Sequence, residues 1–303
     1  MRKDVVALAV GDLHLCHTKP AIRDCDDWYG VMAYYLEQLT DCAEKYDVPI
    51  LCAGDVFDHW NSSPELINFA IDYLPEMYAV PGQHDLPYHG MDRITKSAFW
   101  TLVRAGKIRP IAGLEQVNDE LNVNGFPWGV EVRSRERTGE PVIALVHAYI
   151  WQKGAGFSTA PDSQHTSGWK ERLQGYDLAI FGDNHQGFTA AVGGCLVYNC
   201  GAFIRRSKTE LKTKPAIGLV HGDGSVTRKH MTIKVDRFFE DEVPDKDKED
   251  EIEAMAEFVS SLNSLELASI DFCSQLRRVL EEEDVREPVK QLVRQILDDI
   301  RQK

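Results

Sequence analysis

Positive charge is scarce in this 303-residue chain, which carries 34 lysines and arginines against 48 acidic residues, for a formal charge of −14. Taken whole, that balance argues against a partner held by bulk charge, nucleic acid included. The deficit is uneven: 20 acids and 10 bases fall from Asp236 onward, leaving 28 and 24 in residues 1–235. The acidity belongs mainly to the C-terminal part, so the first 235 residues stay open to an anionic substrate if bound divalent cations supply local positive charge. Cys-x-x-Cys pairs are also missing. The seven cysteines (16, 25, 42, 52, 195, 200 and 273) are scattered and odd in number, which argues against a disulfide framework or a zinc knuckle and predicts reduced, mostly buried thiols. Nor is there a long apolar opening. "VVALAV" stops at Gly11-Asp12, too short for a secretory signal or a membrane helix, so the expectation is a cytoplasmic protein with no membrane partner. The remainder is 43% hydrophobic and 27% charged, ordinary for a globular chain with one large core or two modest ones.

Apolar runs of strand length occur at 5–10, 49–53, 77–80, 142–146, 177–181, 195–199 and 216–220. Between the first few lie helical patterns: residues 26–47 form one, and "SSPELINFAIDYL" opens another, with Ser63 suited to the N-cap and Pro64 to the first turn. Alternating strands and helices predict an α/β layer with at least partly parallel strands, whose ligands collect beyond the strands' carboxyl ends. Residues 114–129 and 216–235 read as hairpins, the second turning at Gly222-Asp223-Gly224. The predicted core domain spans 1–235. An acidic, breaker-containing linker (236–250) follows, then a helical extension (251–303) in which Ile252, Met255, Ala256, Val259 and Leu262 keep helical spacing.

Gly-Asp follows an apolar run three times, at Gly11-Asp12, Gly54-Asp55 and Gly182-Asp183. An ordinary turn needs neither that acid nor a neighbouring imidazole, yet each has a His or a second Asp nearby. In chain order the strand ends supply Asp12 and His14, Asp55 and Asp58, then Gln83, His84 and Asp85, then His147, and finally Asp183 and His185. An Asp after a strand is usually a turn former and a lone His usually a satisfied polar group. Five such clusters at five strand ends suit two divalent cations sharing one carboxylate.

The order Asp-x-His, Gly-Asp-x-x-Asp, Gly-x-His-Asp, His, Gly-x-x-His resembles the calcineurin-like metallophosphoesterase superfamily over residues 4–235. "GDVFDHW", "GQHDLPYH" and "YNCGAFIRRSKTE" look most like SbcD-type DNA exonuclease subunits, and the Val-Asp-Arg-Gly of the protein-phosphatase branch is absent. The resemblance implies a two-sheet α/β/β/α sandwich. It implies one metal held by Asp12, His14, Asp55 and His185, and a second held by Asp55, Gln83, His147 and Asp183. His84 would stand beside the scissile phosphate, with Asp85 orienting it and Asp58 one shell behind the ligands. Two positions depart from the family pattern: Gln83 stands where Asn is usual, and Asp183 where His is usual. Both can still ligate, and the added oxygen donor favours Mn²⁺ or Mg²⁺ over Zn²⁺.

Arg205 and Arg206, with Lys208, Lys212 and Lys214 nearby, suggest contacts to a phosphate backbone. His17, His59 and His89 lie beside ligand motifs without fitting a ligand slot, and of these His89 is best placed to touch substrate. Arg133, Arg135 and Arg137 fit an exposed hairpin edge, and Trp60, Tyr88 and Trp128 wall packing. The function implied is a DNA phosphodiesterase, an exonuclease or end-processing nuclease of repair and recombination. A small- or cyclic-nucleotide phosphodiesterase and a catalytically silent DNA- or partner-binding subunit are the alternatives. For the C-terminal helices, docking to an SbcC-like coiled-coil ATPase, homodimer formation and capping of their own domain all remain open.

Overall fold

A computed structural model describes residues 4–118, 121–137, 141–157 and 160–239. The seven apolar runs are all strands. They are β1 (Val5–Val10), β2 (Ile50–Cys52), β3 (Met77–Ala79), β7 (Val142–His147), β8 (Leu178–Gly182), β10 (Cys195–Asn199) and β11 (Ala216–His221). The first hairpin is β5 (Gly113–Asn118) with β6 (Leu121–Phe126), and the second joins β11 to β12 (Val226–His230); both are antiparallel. β4 (Ile108–Pro110), β9 (Phe188–Val192) and the short helix α3 (Ala98–Arg104) complete the strands and add to the predicted helices.

These strands form two six-stranded mixed sheets, ordered β12-β11-β1-β2-β3-β4 and β5-β6-β7-β8-β10-β9. Strands β1 to β4 run parallel in the first sheet, and β6, β7, β8 and β10 in the second, so each sheet gathers its parallel carboxyl ends along one edge. Period-two alternation sorts the side chains. Leu8, Val10, Ile50 and Cys52 face the helical side, whereas Ala7, Ala9, Leu51 and Ala53 pack in one cluster with Val123, Ile143, Leu145 and Ile180 of the second sheet.

Helix α1 (Trp28–Tyr46) covers the first sheet with Val31, Met32, Tyr35, Leu36, Leu39 and Cys42. Asp27 caps it by accepting from Gly30 N at 2.8 Å. Helix α2 (Pro64–Tyr73) starts as its sequence predicts, with Ser63 Oγ accepting from Leu66 N at 3.2 Å and Pro64 in the first turn. Over the outer face of the second sheet the cover is irregular chain with two short 3₁₀ turns, from which Ile150, Trp169, Leu173 and Tyr176 pack on Ala144, Val146 and Phe181. Among the described residues six cysteines are free and buried. No described helix is long and apolar enough to cross a membrane.

The chain divides into the units Met1–Val243 and Pro244–Lys303. The core therefore runs past the boundary drawn at 235. Asp236 is not linker: its carboxylate is 1% exposed, binds Arg23 and Arg205, and accepts from Tyr35 Oη at 2.7 Å. The linker from residue 240 onward and the helical extension at 251–303 lie outside the described residues. Removing Asp236 leaves two guanidiniums without their counter-charge, one of them fully buried. Asp236→Ala, or a chain ending at Val235, is expected to lose about 3–5 kcal/mol in a urea melt, with a chain ending at Val243 as the reference.

Candidate metal centre

Every residue assigned to a metal stands at or just beyond a strand's carboxyl end. Asp12 and His14 follow β1, Asp55 follows β2, and Gln83 and His84 sit in a 3₁₀ turn after β3. His147 ends β7, and Asp183 and His185 follow β8. Four of them, Asp12, His14, Asp55 and Asp183, have positive φ (53°, 45°, 52° and 83°). That backbone region costs a non-glycine residue about 1–3 kcal/mol and clusters at functional sites. Glycine is needed beside them. A Cβ on Gly82 would lie 2.0 Å from Asp55 Oδ1, and one on Gly54, itself at φ 98°, would lie 2.3 Å from His147 Nδ1. The two sheets are tied at this rim by Asp183 N, which donates to Asp12 Oδ1 at 2.8 Å.

Four imidazoles are oriented alike. His14 Nδ1 donates to Asp58 Oδ1 (3.2 Å), His84 Nδ1 to the Asp58 carbonyl (2.8 Å), His147 Nδ1 to the Ala53 carbonyl (2.5 Å) and His185 Nδ1 to Glu210 Oε1 (2.6 Å). Each acceptor is an oxygen that cannot donate, so Nδ1 carries the proton and Nε2 is left to the centre. His14 Nε2 and His185 Nε2 face each other at 3.1 Å. Two donors bound about 2.1 Å from one octahedral ion at right angles stand about 3.0 Å apart. On the other side, Asp55 Oδ2 lies 3.5 Å from His14 Nε2 and 3.4 Å from His147 Nε2, and Gln83 Oε1 lies 2.5 Å from His147 Nε2. Gln83 Nε2 donates to Asp183 Oδ1 at 2.9 Å.

Two buried carboxylate oxygens fit a bound cation. Asp12 Oδ2 and Asp55 Oδ2 are buried and accept no hydrogen bond, which is costly for a carboxylate that stays charged. Three groups of ligand atoms converge within 4.8 Å: Asp12 with His14 and His185, His14 with Asp55 and His84, and Asp12 with Asp55 and His147. Burial pushes the Asp12 carboxyl up to about 6. Burial acts on Asp55 too, but His147, His14 and His84 outweigh it and hold Asp55 well below the usual carboxylate range. In return, Asp55 and Asp183 overcome the effect of burial on His147 and raise it to about 10, and Glu210 does the same for His185, to about 9. The donor set of carboxylates, imidazoles and an amide oxygen fits two hard or borderline divalent ions.

The model of the calcineurin-like phosphoesterases matches residues 6–187. The chain belongs to that family. Its members are dinuclear metal-dependent hydrolases, and the converging ligands above are what such a centre requires. Similar solved structures include the sulfate thiohydrolase SoxB of Thermus thermophilus, at 12% identity and a TM-score of 0.46, with 84% of this chain and 60% of that one covered. This calcineurin-like chain thus spans less than two thirds of SoxB. An archaeal phosphodiesterase matches at 14% identity and 0.39, covering 74% of this chain and 99% of that one. The calcineurin-like phosphoesterase YfkN of Bacillus subtilis matches at 14% and 0.38, covering 66% and 82%. None of the curated proteins compared with the chain matches it.

Several roles expected for residues around the ligands change. Asp85 does not reach the His84 ring. It accepts from the backbone N–H groups of Gly82, Val56 and Phe57 at 3.0–3.1 Å, tying two ligand loops together, and it is the Asp58 carbonyl that orients His84. Burial and the nearby Asp55 charge push the Asp85 carboxyl up to about 7. Asp58 does stand behind the ligands, on His14. Arg205 is not offered to a substrate: it is 9% exposed, bound to Asp236 and to the Leu211 carbonyl. Arg206 turns inward as well, donating to Asp58 Oδ1 at 2.7 Å. His89 is exposed in the turn after His84, at φ 57°, near enough to His84 and Asp55 for their charges to act on its ring. Arg133 pairs with Glu131, Arg137 with Asp177, and Arg135 donates to the Gly175 carbonyl. One residue was missed. Glu210, 2% exposed, holds His185, and its only sequence signal is the Ser207-x-x-Glu210 capping box, which closes a three-residue 3₁₀ turn rather than a helix.

A centre that needs cations is stabilised by them. Mn²⁺ at about 100 times its dissociation constant should add about 2.7 kcal/mol for each ion bound, read as a shift between urea melts in chelator and in Mn²⁺. Asp55→Asn should lose most of that gain. A wild-type melt indifferent to Mn²⁺ and Mg²⁺ would remove the centre.

Proposed function

We propose that this chain is a two-metal phosphodiesterase that hydrolyses DNA, as an exonuclease or end-processing nuclease of the SbcD type. The observation that carries the reading is the set of imidazoles whose Nδ1 atoms are all anchored and whose Nε2 atoms, with the unpartnered Asp12 Oδ2 and Asp55 Oδ2, face one rim. Asp12, His14, Asp55 and His185 would hold the first cation, and Asp55, Gln83, His147 and Asp183 the second, with Mn²⁺ preferred. When bound, such a pair polarises phosphoryl oxygens and activates water for in-line attack.

The protein's own contribution centres on His84. Its ring is fixed through Nδ1, its Nε2 lies 4.0 Å from Asp55 Oδ2, and its side chain is 37% exposed. Of the two imidazoles that reach solvent, His185 at 31% and His84 at 37%, it is the one not assigned to a cation and so free to meet a substrate. As imidazolium it donates from Nε2 to a phosphoryl oxygen or to the leaving oxygen. Asp58 serves two imidazoles at once, His84 through its carbonyl and His14 through its carboxylate, so substrate-facing acid and metal ligand share one support.

A nucleic-acid substrate is favoured by the aromatic side chains beside His84. Tyr88, 62% exposed, stands at the same rim against Trp60, ring centroids 5.5 Å apart, where it could stack on a base. The inward turn of Arg205 and Arg206 favours the second reading, a small-nucleotide diesterase, because it removes two expected backbone contacts. An SbcC-like ATPase partner and a homodimer remain proposals for the C-terminal part.

End-labelled linear and circular DNA, single- and double-stranded, incubated with Mn²⁺ or Mg²⁺, tests the reading. Linear DNA should be degraded and circular DNA spared, with His84→Ala reducing the rate by about 10²–10⁴-fold and Asp55→Ala abolishing it. Cleavage of small diesters with every DNA left intact would replace the nuclease by the small-nucleotide enzyme.

A further inference from the structure

We propose that residues 205–211 are a positioning strap that builds the first cation site and leaves the second untouched. The inference rests on the ligand sets given above. Two arms leave the strap, and each ends on an imidazole of the same set. Glu210 Oε1 accepts from His185 Nδ1 at 2.6 Å. Arg206 Nη1 donates to Asp58 Oδ1 at 2.7 Å, and that same oxygen accepts from His14 Nδ1 at 3.2 Å. The facing Nε2 atoms of His14 and His185, 3.1 Å apart, are thus set from one short segment.

The second site is built differently. His147 Nδ1 donates to the backbone carbonyl of Ala53, and Gln83 and Asp183 bind each other. No described contact of Arg206 or Glu210 reaches those three residues.

The strap is itself held firmly. Glu210 Oε2 accepts from Ser207 N at 3.0 Å and from Arg206 N, closing the turn on its own carboxylate. Arg205 fixes the strap to the body through Asp236 and closes it on itself at the Leu211 carbonyl, while Arg23 Nε donates to the Arg205 carbonyl at 2.8 Å. A carboxylate on the far nitrogen of a ligating imidazole fixes its tautomer and orientation, and losing one typically lowers metal affinity about 10–100-fold. Arg206 and Glu210 are accordingly positioning residues for the first cation, and the basic stretch "IRRSKTE" is part of the centre's frame.

Calorimetric titration of the full chain with Mn²⁺ alone tests this without reference to any substrate. The wild type should take up two ions. Glu210→Ala should weaken one of them by about 100-fold and the isosteric Glu210→Gln by about tenfold, with the other ion unchanged and Arg206→Met weakening the same ion as Glu210→Ala. The electron paramagnetic resonance of the variants at one equivalent of Mn²⁺ should show an isolated ion where the wild type at two equivalents shows a coupled pair. If Glu210→Ala fails to fold, Glu210→Gln decides. Equal weakening of both ions, or two ions bound as in the wild type by all three variants, overturns the strap while leaving the metal centre standing. A wild type that binds no Mn²⁺ overturns the centre and the strap with it.

Discussion

Asp55 is a carboxylate held charged where water does not reach, and the surrounding structure is arranged around that one charge. Its Oδ1 accepts from His84 N at 3.0 Å, and its Oδ2 has no partner while the Nε2 atoms of His14, His147 and His84 lie within 4.0 Å. Imidazoles can surround a buried anion in this way only if their other nitrogens are occupied. That requirement brings in Asp58, Glu210 and the Ala53 carbonyl. Space is required as well, and the absence of a side chain at Gly82 provides it.

The fold serves this charge through its two parallel sets of strands. Parallel strands end together, so three loops of the first sheet and two of the second open on one rim. Small side chains on the inner face of the first sheet, Ala7, Ala9 and Ala53, pack in one cluster with the branched residues of the second. That packing lets Asp183 of one sheet donate its backbone N–H to Asp12 of the other. The helices α1 and α2 stand on the opposite face of the first sheet and contribute no ligand. Their work is to bury the apolar side that keeps β1 and β2 in register.

Much of this is legible in the chain, because strands with strong alternation and ligands placed directly after them are local signals. All seven apolar runs are strands, and Ser63 and Pro64 begin a helix as their chemistry dictates. Legibility ends where a role depends on what lies across the fold. Arg205 and Arg206 read as surface charge because composition carries no sign of Asp236 or Asp58 waiting 31 and 148 residues away. Asp236 reads as linker because it begins an acidic stretch, although its own side chain is the counter-ion of two arginines. Glu210 hides in a stretch of lysines and threonines. β4 spans three residues, and β9 is an edge strand with only its end residues buried, so neither has the run of apolar positions that a sequence pattern needs.

The left-handed backbone at Asp12, His14, Asp55 and Asp183 bears on how such a chain drifts over generations. Each of these positions would be relaxed by glycine, or eased by asparagine, so selection for stability alone pulls every one of them away from the residue it carries. All four carry a side chain able to hold a metal. The rim thus spends folding free energy on the direction in which four donors point, and a chain relaxed at these positions would be more stable and would hold a cation less well.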